Sequence, residues 1–233
     1  MACFDACVSM SVLDSQASDF AADWETWHKQ HEDRLAAPDG FLAITSINWL
    51  SETPTRFPDA PGEWAAGDSG ITVDLAPGEE LTLDGARISG RHRFGPIPER
   101  GGVFPADAAG VYEAARRGGN DILRPRHPGA PLRAGFAGTP AYAPDPRWVI
   151  AGRYRPFDKP RDVTVGSVVA GLEHVYAAPG PDGTVTLDFN RAANLPCAYT
   201  PFATCPLPSA GNRLPVAVEA GEQIPHEAQA SER

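Results

Sequence analysis

The sequence predicts a mainly β protein, a short-stranded sandwich or partly open β-barrel carrying one N-terminal amphipathic α-helix. Three observations lead there. Glycine and proline supply 23 and 24 of the 233 residues, against roughly 12% for the pair in ordinary domains, and this excess favours turns and short strands over long helices. Short runs rich in β-branched and aromatic residues recur between turn signals from Phe41 to Phe189, which is the pattern of an all-β chain. Only one segment has apolar residues at helical spacing. With 42% hydrophobic residues over this length, a single sizeable core is the default. The chain therefore reads as a mobile tail over 1–17, one domain over 18–224 and a disordered tail over 225–233.

The helix is expected to start at Ser18 as N-cap, with Phe20, Trp24, Trp27, His31 and Leu35 on one face and Pro38-Asp39-Gly40 as the stop. The run FLAITSINWL, Phe41 to Leu50, reads as a strand bounded by Gly40 and the break at Glu52-Thr53-Pro54. Ile71–Leu75 and Leu81–Leu83, separated by Pro77-Gly78, read as a short hairpin, and Ala86–Phe94 as a further strand. Val111–Arg117 and Ile122–Arg126 flank Gly118-Gly119-Asn120-Asp121 and form a second hairpin. Trp148–Tyr154, Val163–Val165, Val168–Ala177 and Thr184–Phe189 complete the strands.

Charge and composition exclude several classes. A formal net charge of −10 repels a phosphate backbone, so no nucleic-acid partner is expected. No stretch reaches the ~18 apolar residues of a membrane span, so no membrane partner is expected either. The opening MACFDACVSMSVLDS has no basic n-region and places Asp5 inside its apolar run, unlike a signal peptide. The expected location is the cytoplasm, where thiols stay reduced. Between Gly85 and Gly135 arginine outnumbers acid, with Glu99, Asp107, Glu113 and Asp121 the only carboxylates. That excess suits either charge-blunted strand edges or an anion-binding face.

The chemistry-bearing residues gather late in the chain. Strand alternation puts Val185, Leu187 and Phe189 on one face and Thr184, Thr186 and Asp188 on the other. Asn190 and Arg191 follow at the strand exit. An acceptor, a mixed donor and a forked cation at one rim suit recognition of a carboxylate or phosphate, and equally suit an Asp–Arg pair with an Asx-turn that fixes the exit. Cys197 and Cys205 are spaced too widely for a zinc knuckle or a CxxC pair, so no metal and no cofactor is expected. Buried packing thiols, or a nucleophile activated by Arg191 or His174, are the remaining readings. His28 and His31 stand one helical turn apart, a spacing open to a metal, but no third ligand is near in sequence.

The string DFNRAANLPCAYTPFATCPLPSAGNRLPVAVEAGE, within a signature spanning 184–222, closely resembles the C-terminal signature of the bacterial and archaeal domain of unknown function 1684 family. Trp24 to Leu50 and the segment RPRHPGAPLRAGFAGTPAYAPDPRWVIAGRY resemble earlier parts of the same family. The resemblance implies a mostly β protein of unassigned role. It also implies an internal deletion, since strands that family members carry before the Asp-Phe-Asn strand are missing ahead of Thr184, about fifty residues whose loss would expose strand edges. On this resemblance the signature forms one wall of a family site, read as a pocket for a small anionic molecule, with Asp188 as the candidate catalytic residue and Asn190, Arg191, Cys197, Tyr199 and Asn212 as ligand-binding groups. The alternatives are a hydrolase-like enzyme acting on a small acidic or phosphorylated substrate with Asp188 as general base, and a structural module without ligand. Open edges would favour a homodimer.

Overall fold

The computed structural model describes residues 4–153, 173–174, 180–205 and 216–225, and of residues 4–17 and 173–174 the backbone alone. The expected strand Val163–Val165 and most of Val168–Ala177 lie outside these residues. The fold is mainly β, in antiparallel sheets none of which closes into a barrel among the described residues, with a helix at the N-terminal end. The chain divides into two compact units, one of Arg34–Ala137 with Thr200–Thr204, the other of Met1–Asp33, Gly138–Tyr199 and Cys205–Arg233.

Helix α1 runs Phe4–Leu35 and passes through Ser18 rather than starting there. No glycine or proline interrupts the chain between Phe4 and Ala37, so nothing breaks the backbone bonding ahead of the expected cap. The stop is as read: Pro38 and Gly40 follow directly, and the Gly40 N–H closes on the Ala37 carbonyl at 2.9 Å.

Phe41–Leu50 departs from the expected strand. Leu42, Ala43 and Ile44 are all buried, and three successive buried positions cannot be met by a period-two strand with one face to solvent. The segment instead makes a 3₁₀ turn over Phe41–Ala43 and a two-residue strand β1, Asn48–Trp49. The rest of this unit consists of β2 (Thr55–Arg56), β3 (Glu63–Gly67), β4 (Gly70–Asp74), β5 (Leu81–Leu83), β6 (Ala86–Ile88), β7 (Arg91–Gly95), β8 (Gly102–Val103), β9 (Val111–Arg117), β10 (Asn120–Arg126) and a short helix α2 (Pro131–Gly135).

Two four-stranded sheets, β1-β10-β9-β8 and β2-β3-β4-β7, share one apolar core. Trp64, Ile71 and Val73 come from one sheet, Tyr112, Ala114 and Leu123 from the other, with Leu81 and Ile88 from the β5–β6 hairpin. This is sandwich-like packing. Two pairings differ from expectation. β4 pairs with β3 and β7, not with β5, because β5 turns back at once on β6 through Asp84 and Gly85, both at positive φ. Ala86–Phe94 is two strands rather than one, broken at Gly90 (φ 62°). The β9–β10 hairpin is as expected, Arg117 facing Asn120 across Gly118-Gly119.

The other unit holds β11 (Val149–Arg153), β12 (Glu173–His174), β13 (Thr184–Asp188) and β14 (Ala193–Asn194). β13 is paired, and of the Val168–Ala177 segment only Glu173–His174 is described. The partner of β13 is β11, Val149 opposite Asp188 and Arg153 opposite Thr184, while Glu173–His174 pairs with Ala193–Asn194.

Candidate functional site

β13 ends at Asp188, whose carboxylate accepts the Asn190 backbone N–H at 3.1 Å and caps a 3₁₀ turn over Phe189–Arg191. This is the local Asx-type closure open to that sequence. Asn190 is almost completely buried and its amide is fully engaged. Its Oδ1 accepts the Asp145 N–H at 2.8 Å, and its Nδ2 donates to the Asp145 carbonyl at 3.0 Å and to Asp188 Oδ1 at 2.9 Å. Its own carbonyl accepts the Trp24 indole N–H at 2.5 Å. Arg191 pairs with Asp23 at 2.5 Å and Asp188 at 3.3 Å, and lies over the Trp27 ring at 5.7 Å. The Asp188-Asn190-Arg191 cluster is thus closed on itself and on α1, with its guanidinium charge met by two carboxylates.

Of the other residues singled out in the sequence, Cys197 and Cys205 are not joined in a disulfide and are both half-buried, and Asn212 lies outside the described residues. Tyr199 is buried and belongs to a different polar centre. Its hydroxyl donates to Glu222 Oε2 at 3.0 Å and contacts the Thr139 hydroxyl at 3.0 Å. Burial, then the Glu222 charge, raises its pKa well above that of an ordinary phenol.

Glu222 is the focus of that centre. Its side chain has no exposed surface, yet Nε2 of His28 stands 3.4 Å and Nε2 of His31 3.5 Å from Oε1. On the far side Oε2 accepts the Asn194 N–H at 2.7 Å as well as the tyrosine. Burial pushes the Glu222 pKa up, but His28, the Asn194 amide, the His31 field and Tyr199 together outweigh it and hold the carboxyl below its ordinary range. Contact with Glu222 raises the His28 pKa against the opposing effect of burial, with Glu32 adding to the rise. A buried carboxylate kept ionised by imidazoles and hydrogen bonds is a tuned group, of the kind that clusters at functional sites.

Local sequence explains how Glu222 arrives there. Its N–H bonds to the Ala192 carbonyl at 2.9 Å, directly after Gly221 at φ 79°. A Cβ on Gly221 would stand 2.7 Å from the Ala192 carbonyl oxygen and 2.8 Å from that of Phe189, so only glycine lets the chain approach so closely. On the helix, Trp24 stacks on His28 with centroids 4.8 Å apart and Trp27 on His31 at 5.8 Å, fixing both rings. Glu32 holds the Thr139 N–H at 2.6 Å, which places the threonine beside Tyr199.

Sequence reading flagged His28 and His31 but found no partner for them, because Glu222 lies at the other end of the chain. The available signal was the Ala220-Gly221-Glu222 ending of the signature. Among the described residues no group of three or more His, Cys, Asp or Glu side chains is arranged to hold a metal ion. The two surface concavities described both lie in the β-sandwich unit, one beside Glu52, Glu63, Asp74, Arg91 and Arg93, the other beside Leu50, Ile97, Arg116 and Asp121.

Comparison with known families places the signature. The model of the family described as protein of unknown function (DUF1684) matches residues 134–181 and 176–223. This part of the chain resembles that family, and it includes β11, β13, β14 and Glu222. The two matches overlap just ahead of Thr184, where the sequence suggests missing residues. No curated protein and no solved structure matches the chain.

Proposed function

We propose, for a chain whose residues 134–223 match this family of unknown function, that it binds a small molecule and performs acid–base chemistry on it. His28 is the proton-active group and Glu222 the carboxylate that tunes it. The observation that carries this is the geometry of Glu222: wholly buried, anchored at Oε2 by Asn194 and Tyr199, and presenting Oε1 to two imidazoles. The side chains of His28 and His31 keep 13% and 23% of their exposure while their Nε2 atoms are buried against Glu222, so an arriving molecule would meet the outer edge of an imidazole before the carboxylate.

A carboxylate behind an imidazole orients the ring and stabilises its protonated form, which suits proton transfer near neutral pH. The hydrolase-like reading on a small acidic or phosphorylated substrate keeps its reaction type but moves the proton-transfer role from Asp188 to His28. Arg191, about one-third exposed, is the guanidinium held against this helix face through Trp27, and would orient an anionic group on the ligand. A second reading, a purely structural tie between α1 and the signature, is favoured by the complete engagement of Oε2.

The test is a panel of small carboxylates and phosphate esters, screened for thermal stabilisation and for turnover on the wild-type protein, His28→Gln and Asp188→Asn. The acid–base reading expects a ligand whose binding survives in His28→Gln while its turnover does not. Turnover lost in Asp188→Asn and kept in His28→Gln would return the role to Asp188. The absence of any stabilising ligand would favour the structural tie. The proposed homodimer through strand edges is checked on the same samples by light scattering.

A further inference from the structure

We propose that the buried arginine face of the β9–β10 hairpin binds a small anion of phosphate or carboxylate chemistry, with Phe104 as its cover. Alternation along the two strands sets this face. Tyr112 and Ala114 point to the shared core, so Glu113 and Arg117 of β9 and Arg124 and Arg126 of β10 point the other way, with Arg124 directly opposite Glu113. Glu113 and Arg124 are almost fully buried and Arg126 is 9% exposed.

Three guanidiniums here meet one carboxylate. Glu113 takes Arg117 at 2.9 Å, Arg124 at 2.5 Å and Arg126 in a close contact. Burial raises the Glu113 pKa, but Arg124 and Arg126 outweigh it and hold it below the ordinary range. The other acids of this segment are engaged elsewhere. Asp121 pairs with Arg116, Glu99 accepts the N–H groups of Gly118 and Gly119, and Asp107 takes two backbone N–H groups and the Tyr112 hydroxyl.

Arginine does not shed its proton on burial, so an excess of buried guanidinium over carboxylate is costly unless an anion balances it. Some donors have carbonyl partners: Arg124 reaches the Phe202 carbonyl and Arg126 the Asp39 carbonyl. These supply dipoles but no charge. Nε of Arg126 is buried with no hydrogen-bond partner among the described residues, the kind of group that asks for an explanation. The Arg126 guanidinium lies over Phe41 at 5.3 Å and Phe104 at 5.8 Å. Of the two rings Phe104 is the more exposed, at 48%, and its rotation would open the guanidinium to solvent. A forked cation near two aromatic rings, with charge in excess, suits a planar carboxylate or a phosphate.

This site belongs to the sandwich unit, whereas His28 and Glu222 belong to the other, and it goes beyond the acid–base reading. The experiment is a thermal melt of the full chain in millimolar inorganic phosphate, succinate or chloride at matched ionic strength, on the wild type, Arg126→Gln, Arg117→Gln and Glu222→Gln. Phosphate or succinate should raise the melting temperature above chloride in the wild type and in Glu222→Gln. Whichever of the two acts identifies the preferred anion. Arg126→Gln should abolish the shift. Should that variant fail to fold, Arg117→Gln, whose guanidinium is more exposed, should shift the half-saturating concentration up by about tenfold or more. Equal melting in all three anions, or an unchanged response in both arginine variants, would overturn the proposal.

Discussion

Nε2 of His28 stands 3.4 Å from Oε1 of a glutamate, Glu222, that has no exposed surface. The groups facing this pair are His31, Glu32, Tyr199 and the Asn194 amide. Contact with Glu222 raises the His28 pKa above 6.5, so its contribution to stability is complete below about pH 6.5 and is lost as pH rises through the raised folded value. Glu222 is held below 4.5, so its contribution is present above that value and is lost as pH falls through the depressed folded one. Urea unfolding of wild type against Glu222→Gln should therefore show the largest difference between pH 4.5 and 6.5 and a smaller one at pH 8. A difference that is flat with pH would mean the pair carries no charge coupling.

Gly221→Ala should cost about 2 kcal/mol or more, because it adds the strain of a positive φ to a contact with two carbonyl oxygens. The same substitution at Gly78, also at positive φ but with no described atom within 4 Å of where its Cβ would stand, should cost less. Denaturant midpoints of the two variants compare them directly.

Asn190 should behave as a structural residue. Asn190→Ala leaves the Asp145 N–H without its partner and takes one of two donors from the Asp145 carbonyl, and should cost about 1–3 kcal/mol. Asn190→Asp should be no better, since a carboxylate cannot donate to the Asp145 carbonyl or to Asp188. An Asn190→Asp protein as stable as wild type would show that the amide hydrogens are not needed.

Glu113→Gln removes the one carboxylate shared by Arg117, Arg124 and Arg126 and should destabilise by about 3–5 kcal/mol. Added phosphate should recover part of that loss if an anion occupies the arginine face. Chemical denaturation with and without phosphate measures both.

Much of the fold was legible because its signals are local. The Gly118-Gly119 turn between two apolar runs named the β9–β10 hairpin, and Pro38 and Gly40 named the end of α1. Errors arose where burial or pairing is decided at a distance. Leu42, Ala43 and Ile44 look like strand residues but are buried in succession, and β13 takes Val149–Arg153, more than thirty residues away, as a partner. The site divides in the same way. Asp188 and Arg191 were visible as a cluster, and their mutual pairing was one of the two readings open from sequence. Tyr199 was named, but its partner was not, since nothing local to Glu222 says that it will be buried against His28 and His31 on the first helix.

The most direct test of the acid–base centre is the titration of His28 by NMR in the wild type and in Glu222→Gln. The geometry predicts a His28 pKa above 6.5 in the wild type that falls toward or below that value in the variant, with the fold retained. A His28 pKa that is ordinary in the wild type, or unchanged by the substitution, would contradict it.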